Sequence, residues 1–305
     1  MNILVTGSSG FVGDYFVKAV QPDLYRTSTL SFTKFLSGSY DKSTFSNISV
    51  VIHCAARVHV MNDHSSEPLD DYRKVNTIGT IKLAQQALEA GVKRFIFVSS
   101  IKVNGESTLS GIPFTAVDPR APEDFYGKSK SEAEEQLLEF AKETGLEVVI
   151  IRPTLVYGPG VKANFASLLK LASKGLPLPF GNIKHNKRSL VSVKNLVDLI
   201  MNCVEHPKAA NQIFLVSDDH DLSTASMVKH MSYALGKPSR LLPVPLWCYR
   251  FVGKLTGKSD LVDRLIGSLQ VDISHTKDTL GWVPPQTLEQ GFKETAEYFL
   301  LNKNK

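Results

Sequence analysis

Tyr126 and Lys130 stand four residues apart in Tyr126-Gly127-Lys128-Ser129-Lys130. On a helix this spacing puts both side chains on one face. A free tyrosine titrates at about 10 and is a poor base at neutral pH. A cation one turn away lowers that value towards the working range, and the pair can then exchange a proton with an alcohol or carbonyl oxygen. Ser100 comes earlier, just after an apolar run, and its hydroxyl can hold that oxygen while the proton moves. Far upstream lies a glycine-rich turn, Gly7-Ser8-Ser9-Gly10-Phe11-Val12-Gly13. Glycines there let the backbone approach a pyrophosphate, whose charge the next helix N-terminus stabilises. Turn, serine and tyrosine–lysine pair together describe an oxidoreductase that moves hydride and proton between a dinucleotide and a carbon–oxygen bond.

The tyrosine–lysine spacing carries little by itself. Tyr233-Ala234-Leu235-Gly236-Lys237 repeats it, but there Gly236 and Pro238 end the helix. What distinguishes Tyr126–Lys130 is its order after the glycine turn and Ser100.

The elements that position these residues alternate. Asn2–Thr6 reads as an apolar strand running into the glycine turn, and Phe11–Val20 has helical spacing. Further strands are expected near 24–30, at Val50–Cys54, at Phe95–Val98 and at Val148–Ile151. Helices are expected over 71–90, ending at Gly91, and over 123–143, ending at Gly145. Continuous apolar strands alternating with helices predict a Rossmann-type α/β fold, a doubly wound parallel sheet covered on both faces. Its ligand should lie at the carboxyl ends of the strands, where all the motif residues fall. After about residue 160 the strands shorten (189–193 and 212–216) and prolines multiply. We therefore expect a dinucleotide-binding domain over 1–160, with elements near 189–216 returning to it. A smaller, partly interwoven substrate domain should occupy 161–305.

The chain has 305 residues, 43% hydrophobic and 21% charged, enough for a large core without staples. Cys54, Cys203 and Cys248 have no paired spacing, so neither disulfides nor a metal site are expected. The +5 charge favours an anionic ligand but includes no cationic block suited to nucleic acid. The first apolar run leads into glycines and not a cleavage site, and no run reaches the roughly 20 residues of a membrane span. A cytoplasmic location is the expectation. The apolar stretch 243–255 is amphipathic enough to rest on a membrane; the alternative is a core or dimer-interface helix.

An acid at the end of the second strand would bind an adenosine ribose, and a base there would accept a 2′-phosphate. The segment 23–30 ends without an acid and contains Arg26. This favours NADP(H) over NAD(H), unless Arg26 is a solvated surface residue.

Thr6 through Gly13, Val98-Ser99-Ser100, Tyr126 through Lys130 and Arg152-Pro153 resemble the extended short-chain dehydrogenase/reductases. More narrowly, they resemble the nucleotide-sugar epimerase, dehydratase and reductase branch, along essentially the whole chain. The resemblance implies that Ser100, Tyr126 and Lys130 are catalytic. It implies a cofactor held by Gly7, Gly10, Phe11, Val12, Gly13, Ala55, Ala56 and Pro153, with Tyr126 and Lys130 contributing. Asn76 would support the active-site helix. Asn164 and Arg188 would contact the sugar's diphosphate with Ser100 nearby, and Arg264 is a looser match for a second such arginine. The plain alternative for Arg188 and Arg264 is an ordinary salt bridge. A homodimer formed through the helix bearing Tyr126 is also implied.

Departures from the branch narrow the reaction. Dehydratases carry an Asp-Glu pair where this chain has Ile101-Lys102, so 4,6-dehydration is not expected. Val103-Asn104-Gly105 replaces the Val-Tyr-Gly usual in epimerases. The segment 99–106 is similar to bacterial reductases of UDP-4-keto-6-deoxy-N-acetylglucosamine, which serve O-antigen and lipopolysaccharide synthesis. A UDP-sugar 4-reductase is therefore the leading expectation. The alternatives are a 4-epimerase with tightly bound NAD, an epimerase of a polyprenyl-diphosphate-linked sugar, and a non-catalytic dinucleotide sensor.

Overall fold

The computed structural model describes residues 1–58, 67–109 and 111–302. Its main sheet contains β1 (Asn2–Thr6), β2 (Arg26–Leu30), β3 (Val50–His53), β4 (Arg94–Val98), β5 (Glu147–Pro153) and, late in the chain, β8 (Gln212–Val216). All pairs are parallel, in the order β2-β1-β3-β4-β5-β8. This is the expected Rossmann-type α/β sheet. The strand order reverses between β1 and β3, and parallel sheets bind ligands at such a switch point.

The strands are apolar throughout because both faces are covered. Side chains alternate across the sheet, so Ile3, Val5, Ile52, Ile96, Val149 and Ile151 join one core cluster and Leu4, Val51, Phe95, Phe97, Val148 and Ile150 the other. The first face is covered by α1 (Phe11–Ala19) and α7 (Val193–Glu205), the second by α2 (Phe32–Leu36), α4 (Gly79–Glu89) and α5 (Phe125–Thr144). The helix expected over 71–90 is three pieces: α3 (Pro68–Tyr72), a π-helical turn Arg73–Ile78, and α4. Helix α5 starts at Asp124, whose carboxylate accepts from the Gly127 N–H at 2.6 Å, and stops at Gly145 with φ +77°.

A second sheet joins β6 (Leu155–Tyr157), β7 (Arg188–Ser192) and β9 (Asp221–Leu222). Around it pack α6 (Ala163–Ala172), α8 (Thr224–Ala234) and α12 (Leu288–Asn302), with Tyr157, Phe165, Leu190, Met231 and Phe292 in a separate core. Helices α9 (Leu246–Leu255), α10 (Ser259–Ile266) and α11 (Ser274–Leu280) complete the order. Of the later segment near 189–216, β8 pairs with β5 and α7 covers the main sheet, whereas β7 belongs to the small sheet. Arg94 binds the end of α7, donating to the carbonyls of Cys203 (2.8 Å), Val204 (2.9 Å) and His206 (3.1 Å).

Candidate active site

The glycine turn is shaped by contacts that no side chain would survive. Gly7 has φ +76°, and a Cβ there would lie 2.5 Å from the Ala55 nitrogen; at Gly13 it would lie 2.3 Å from the Gly7 carbonyl oxygen. The turn thus closes against the Ala55–Ala56 loop that follows β3. Gly10 caps α1 without a side-chain acceptor, which leaves the N–H groups of Phe11, Val12 and Gly13 to face an anion. This cradle fits a dinucleotide pyrophosphate.

Arg26 does not fit the same ligand. It opens β2 and pairs with Asn2, at the amino edge of the sheet, whereas the glycine turn follows Thr6 at the carboxyl edge. Four residues of strand separate the two, roughly 13 Å at strand rise. Arg26 is therefore corrected to a solvated surface residue, and the argument for NADP(H) over NAD(H) falls with it.

A chain of hydrogen bonds runs from β1 to the helix bearing Tyr126. The Thr80 hydroxyl donates to the Asn76 carbonyl (2.7 Å), so it accepts from His53 Nε2 (2.9 Å). His53 Nδ1 then accepts from the Thr6 hydroxyl (2.6 Å). The ring is held neutral; burial first, then the Lys130 charge, push its pKa well below the usual 6.5. Asn76 ties the loop to α5: Oδ1 accepts from the Arg57 N–H (2.8 Å), and Nδ2 donates to the Arg57 carbonyl (3.0 Å) and to Ser129 Oγ (2.9 Å). Ser129 in turn donates to the Tyr126 carbonyl (2.8 Å). The π-helical turn sets Asn76 into this position, a role that helical periodicity alone does not signal.

Lys130 is buried, whereas Tyr126 is half-buried and lines the pocket. Burial, then the Asp124 carboxylate, raise the Tyr126 phenol, while a hydrogen bond with Ser100 lowers it. The Lys130 ammonium donates to the Val98 carbonyl at 2.9 Å and lies 4.2 Å from the Phe97 ring centre. Burial brings Lys130 down to about 7, against the opposing pull of Cys54 and Glu134. By contrast, Tyr233 is exposed and Lys237 lies beyond the end of α8.

Ser100, Tyr126, Pro153, Asn164, Arg188 and Arg264 all line one pocket of about 570 Å³ at the carboxyl end of the main sheet. Arg188 is partly committed, donating to the carbonyls of Arg264 (2.6 Å) and Gly267 (3.4 Å). Arg264 pairs with Glu106 at 3.1 Å, and Glu106 with Lys102 at 2.8 Å. Lys102 also pairs with Asp124. Lys102, Glu106, Thr224, Leu261 and Leu265 also wall the pocket, and no motif or spacing in the sequence marks them for it. Asn104 stands where epimerases of the branch usually carry tyrosine. That residue is 2% exposed, accepting from Arg152 (2.9 Å) and donating to the Thr115 carbonyl (3.2 Å). Arg152 in turn pairs with buried Glu134, which accepts from Ser99. Asn104 thus braces the scaffold instead of facing the pocket. Among the described residues no His, Cys, Asp and Glu cluster could hold a metal.

A parallel sheet with an anion cradle at its switch point, beside a tyrosine–lysine pair and a roomy pocket, defines a dinucleotide-dependent enzyme site. Residues 3–217 match the NAD dependent epimerase/dehydratase family, and the chain belongs to it. It is 61% identical over 321 residues to a Vibrio cholerae protein described as UDP-glucose 4-epimerase, covering 100% of this chain and 97% of that one. It is 29% identical to the N-acetyl-alpha-D-glucosaminyl-diphospho-ditrans,octacis-undecaprenol 4-epimerase of Escherichia coli O157:H7, again covering 100% and 97%. In fold it matches a UDP-glucose 4-epimerase of Thermotoga maritima, solved with UDP-glucose, with a TM-score of 0.77, 24% identity and coverage of 99% and 100%. The sequence likenesses favour the epimerase reading over the reductase reading, which rested on the resemblance of segment 99–106 to ketoreductases.

Proposed function

We propose that the protein is a UDP-sugar 4-epimerase that works with retained NAD. The observation that carries the reading is the pocket itself. It gathers Ser100 and Tyr126 from the main sheet's end with Asn164, Arg188 and Arg264 from later elements. The 61% identity to a protein described as UDP-glucose 4-epimerase supports it. NAD would be held by Gly7, Gly10, Phe11, Val12 and Gly13 at its pyrophosphate and by Ala55, Ala56 and Pro153 near the nicotinamide. Bound there, it supplies a hydride acceptor and, once reduced, a donor.

The chain's own residues move the proton. Tyr126, as phenolate, takes it from the hydroxyl on the sugar's fourth carbon and returns it after the ring has turned. Ser100 holds the oxygen in both directions, and Lys130, when protonated, favours the phenolate from one helical turn away. Arg188 and Arg264 grip the diphosphate while the sugar rotates, with Asn164 beside them. Residues 161–305 thus chiefly bind the nucleotide sugar and 1–160 the dinucleotide.

The test is to incubate purified protein with UDP-glucose, without added cofactor, and follow UDP-galactose by NMR. Interconversion, with NAD released on denaturation, is the expected result. No interconversion, together with NADPH-dependent reduction of UDP-4-keto-6-deoxy-N-acetylglucosamine, would reinstate the reductase. A second reading is a lipid-diphosphate-linked sugar as substrate, supported by the undecaprenol-linked relative and by the apolar wall at Leu261 and Leu265. Turnover of the lipid-linked sugar with none of the free UDP-sugar would select it.

A further inference from the structure

One face of the stretch 243–255 is left uncovered, while Tyr249 and Gly253 pack inwards. Trp247, Phe251 and Leu255 recur every four residues along α9 and are 68%, 58% and 71% exposed. They form one stripe on the helix surface. Arg250 and Lys254 are exposed beside it. Between residues 237 and 258 the charged residues are Lys237, Arg240, Arg250, Lys254 and Lys258, with no Asp or Glu. The helix is held from its opposite side. Gly253 is its one buried residue, and a Cβ there would meet Val262 at 2.9 Å and Ser259 at 3.5 Å, both on α10.

From this we infer that α9 docks the protein on an anionic lipid bilayer. An apolar stripe with an aromatic end residue, rimmed by cations whose aliphatic stems can lie along it, suits the boundary between acyl chains and headgroups. Anionic headgroups complement the cationic rim. A second copy of the chain fits less well, because a two-fold contact would set the same cations against each other. The helix that holds α9 from behind also lines the pocket. Leu261 of α10 is 48% exposed and is at the same time part of the pocket wall.

The full-length protein should float with vesicles of phosphatidylglycerol and phosphatidylcholine, and bind far less to phosphatidylcholine alone. The chain has two tryptophans, and Trp282 is only 4% exposed, so a blue shift of fluorescence on binding reports Trp247. Phe251→Glu/Leu255→Glu should abolish flotation. Arg250→Glu/Lys254→Glu should weaken it roughly tenfold or more. Both variants should keep the wild-type unfolding midpoint and dinucleotide content, which separates lost docking from misfolding. Vesicle binding is read without turnover and so stands apart from the activity. Absence of wild-type flotation, or equal flotation of both variants, overturns the proposal. So does a dimer that either variant converts to monomer, since the face would then belong to a second copy.

Discussion

Lys130 meets two opposing demands: its charge belongs beside Tyr126, yet its surroundings exclude water. Burial holds its pKa at about 7, against an ordinary 10.5. Between those values the unfolded chain carries a proton that the folded lysine has shed, so raising the pH favours the folded state. The dinucleotide-free protein should gain up to about 1.4 kcal/mol per pH unit from this group in that window. Lys130→Met should flatten the rise; urea midpoints from pH 7 to 9 measure both. Tyr126 acts oppositely, because its raised pKa keeps a proton that the unfolded chain loses above its ordinary 10.0. Tyr126→Phe should cut turnover by roughly 10²–10⁴-fold while the purified protein keeps its dinucleotide. Absorbance after denaturation and NMR turnover check the two halves of that expectation. Both residues stood out in the sequence by their order after the glycine turn and Ser100, since the spacing alone recurs at Tyr233 and Lys237. The bracing of Arg152 by Asn104 was not legible, since a polar side chain reads alike whether it faces a ligand or a buried arginine.

Elements show the same division. The parallel strands were legible because burial on both faces leaves continuous apolar runs, and α5 because Gly145 marks its end. The π-helical turn 73–78 was hidden: it widens one turn without disturbing the apolar pattern, and so Asn76 drew notice only through the resemblance. Arg26 misled because it was taken with the end of the second strand, whereas it stands at that strand's start. The glycine turn permits a sharper test, since its glycines are not equivalent. A methyl at Gly13 would meet Gly7 backbone at 2.3 Å, whereas one at Gly10 approaches nothing closer than 3.2 Å. Gly13→Ala should cost about 2 kcal/mol or more of stability and abolish dinucleotide retention. Gly10→Ala should cost under about 1 kcal/mol. Urea unfolding and gel filtration followed by absorbance would separate them; equal losses would mean that the turn is not held as described.

At the scale of the molecule, the main sheet is not complete within the first 160 residues. Strand β8 supplies its outer edge, and α7 covers Ile96, Val149 and Ile151 on one face. A fragment of residues 1–160 should therefore lack cooperative unfolding and expose that face, seen as lost near-ultraviolet circular dichroism and bound hydrophobic dye. A sharp, wild-type-like transition would refute this. The late arrival of β8 also bears on how the chain is made. A ribosome that has released Pro153 has still to translate the segment through Val216 before β5 receives its neighbour. At 5–20 residues per second that interval is about 3–13 s. Throughout it the backbone of Val149–Pro153 is an open sheet edge, able to pair with any extended strand nearby. Nascent chains crowded on one message are the nearest source, so slowed translation of this interval should lower the yield of native protein before any mutation does.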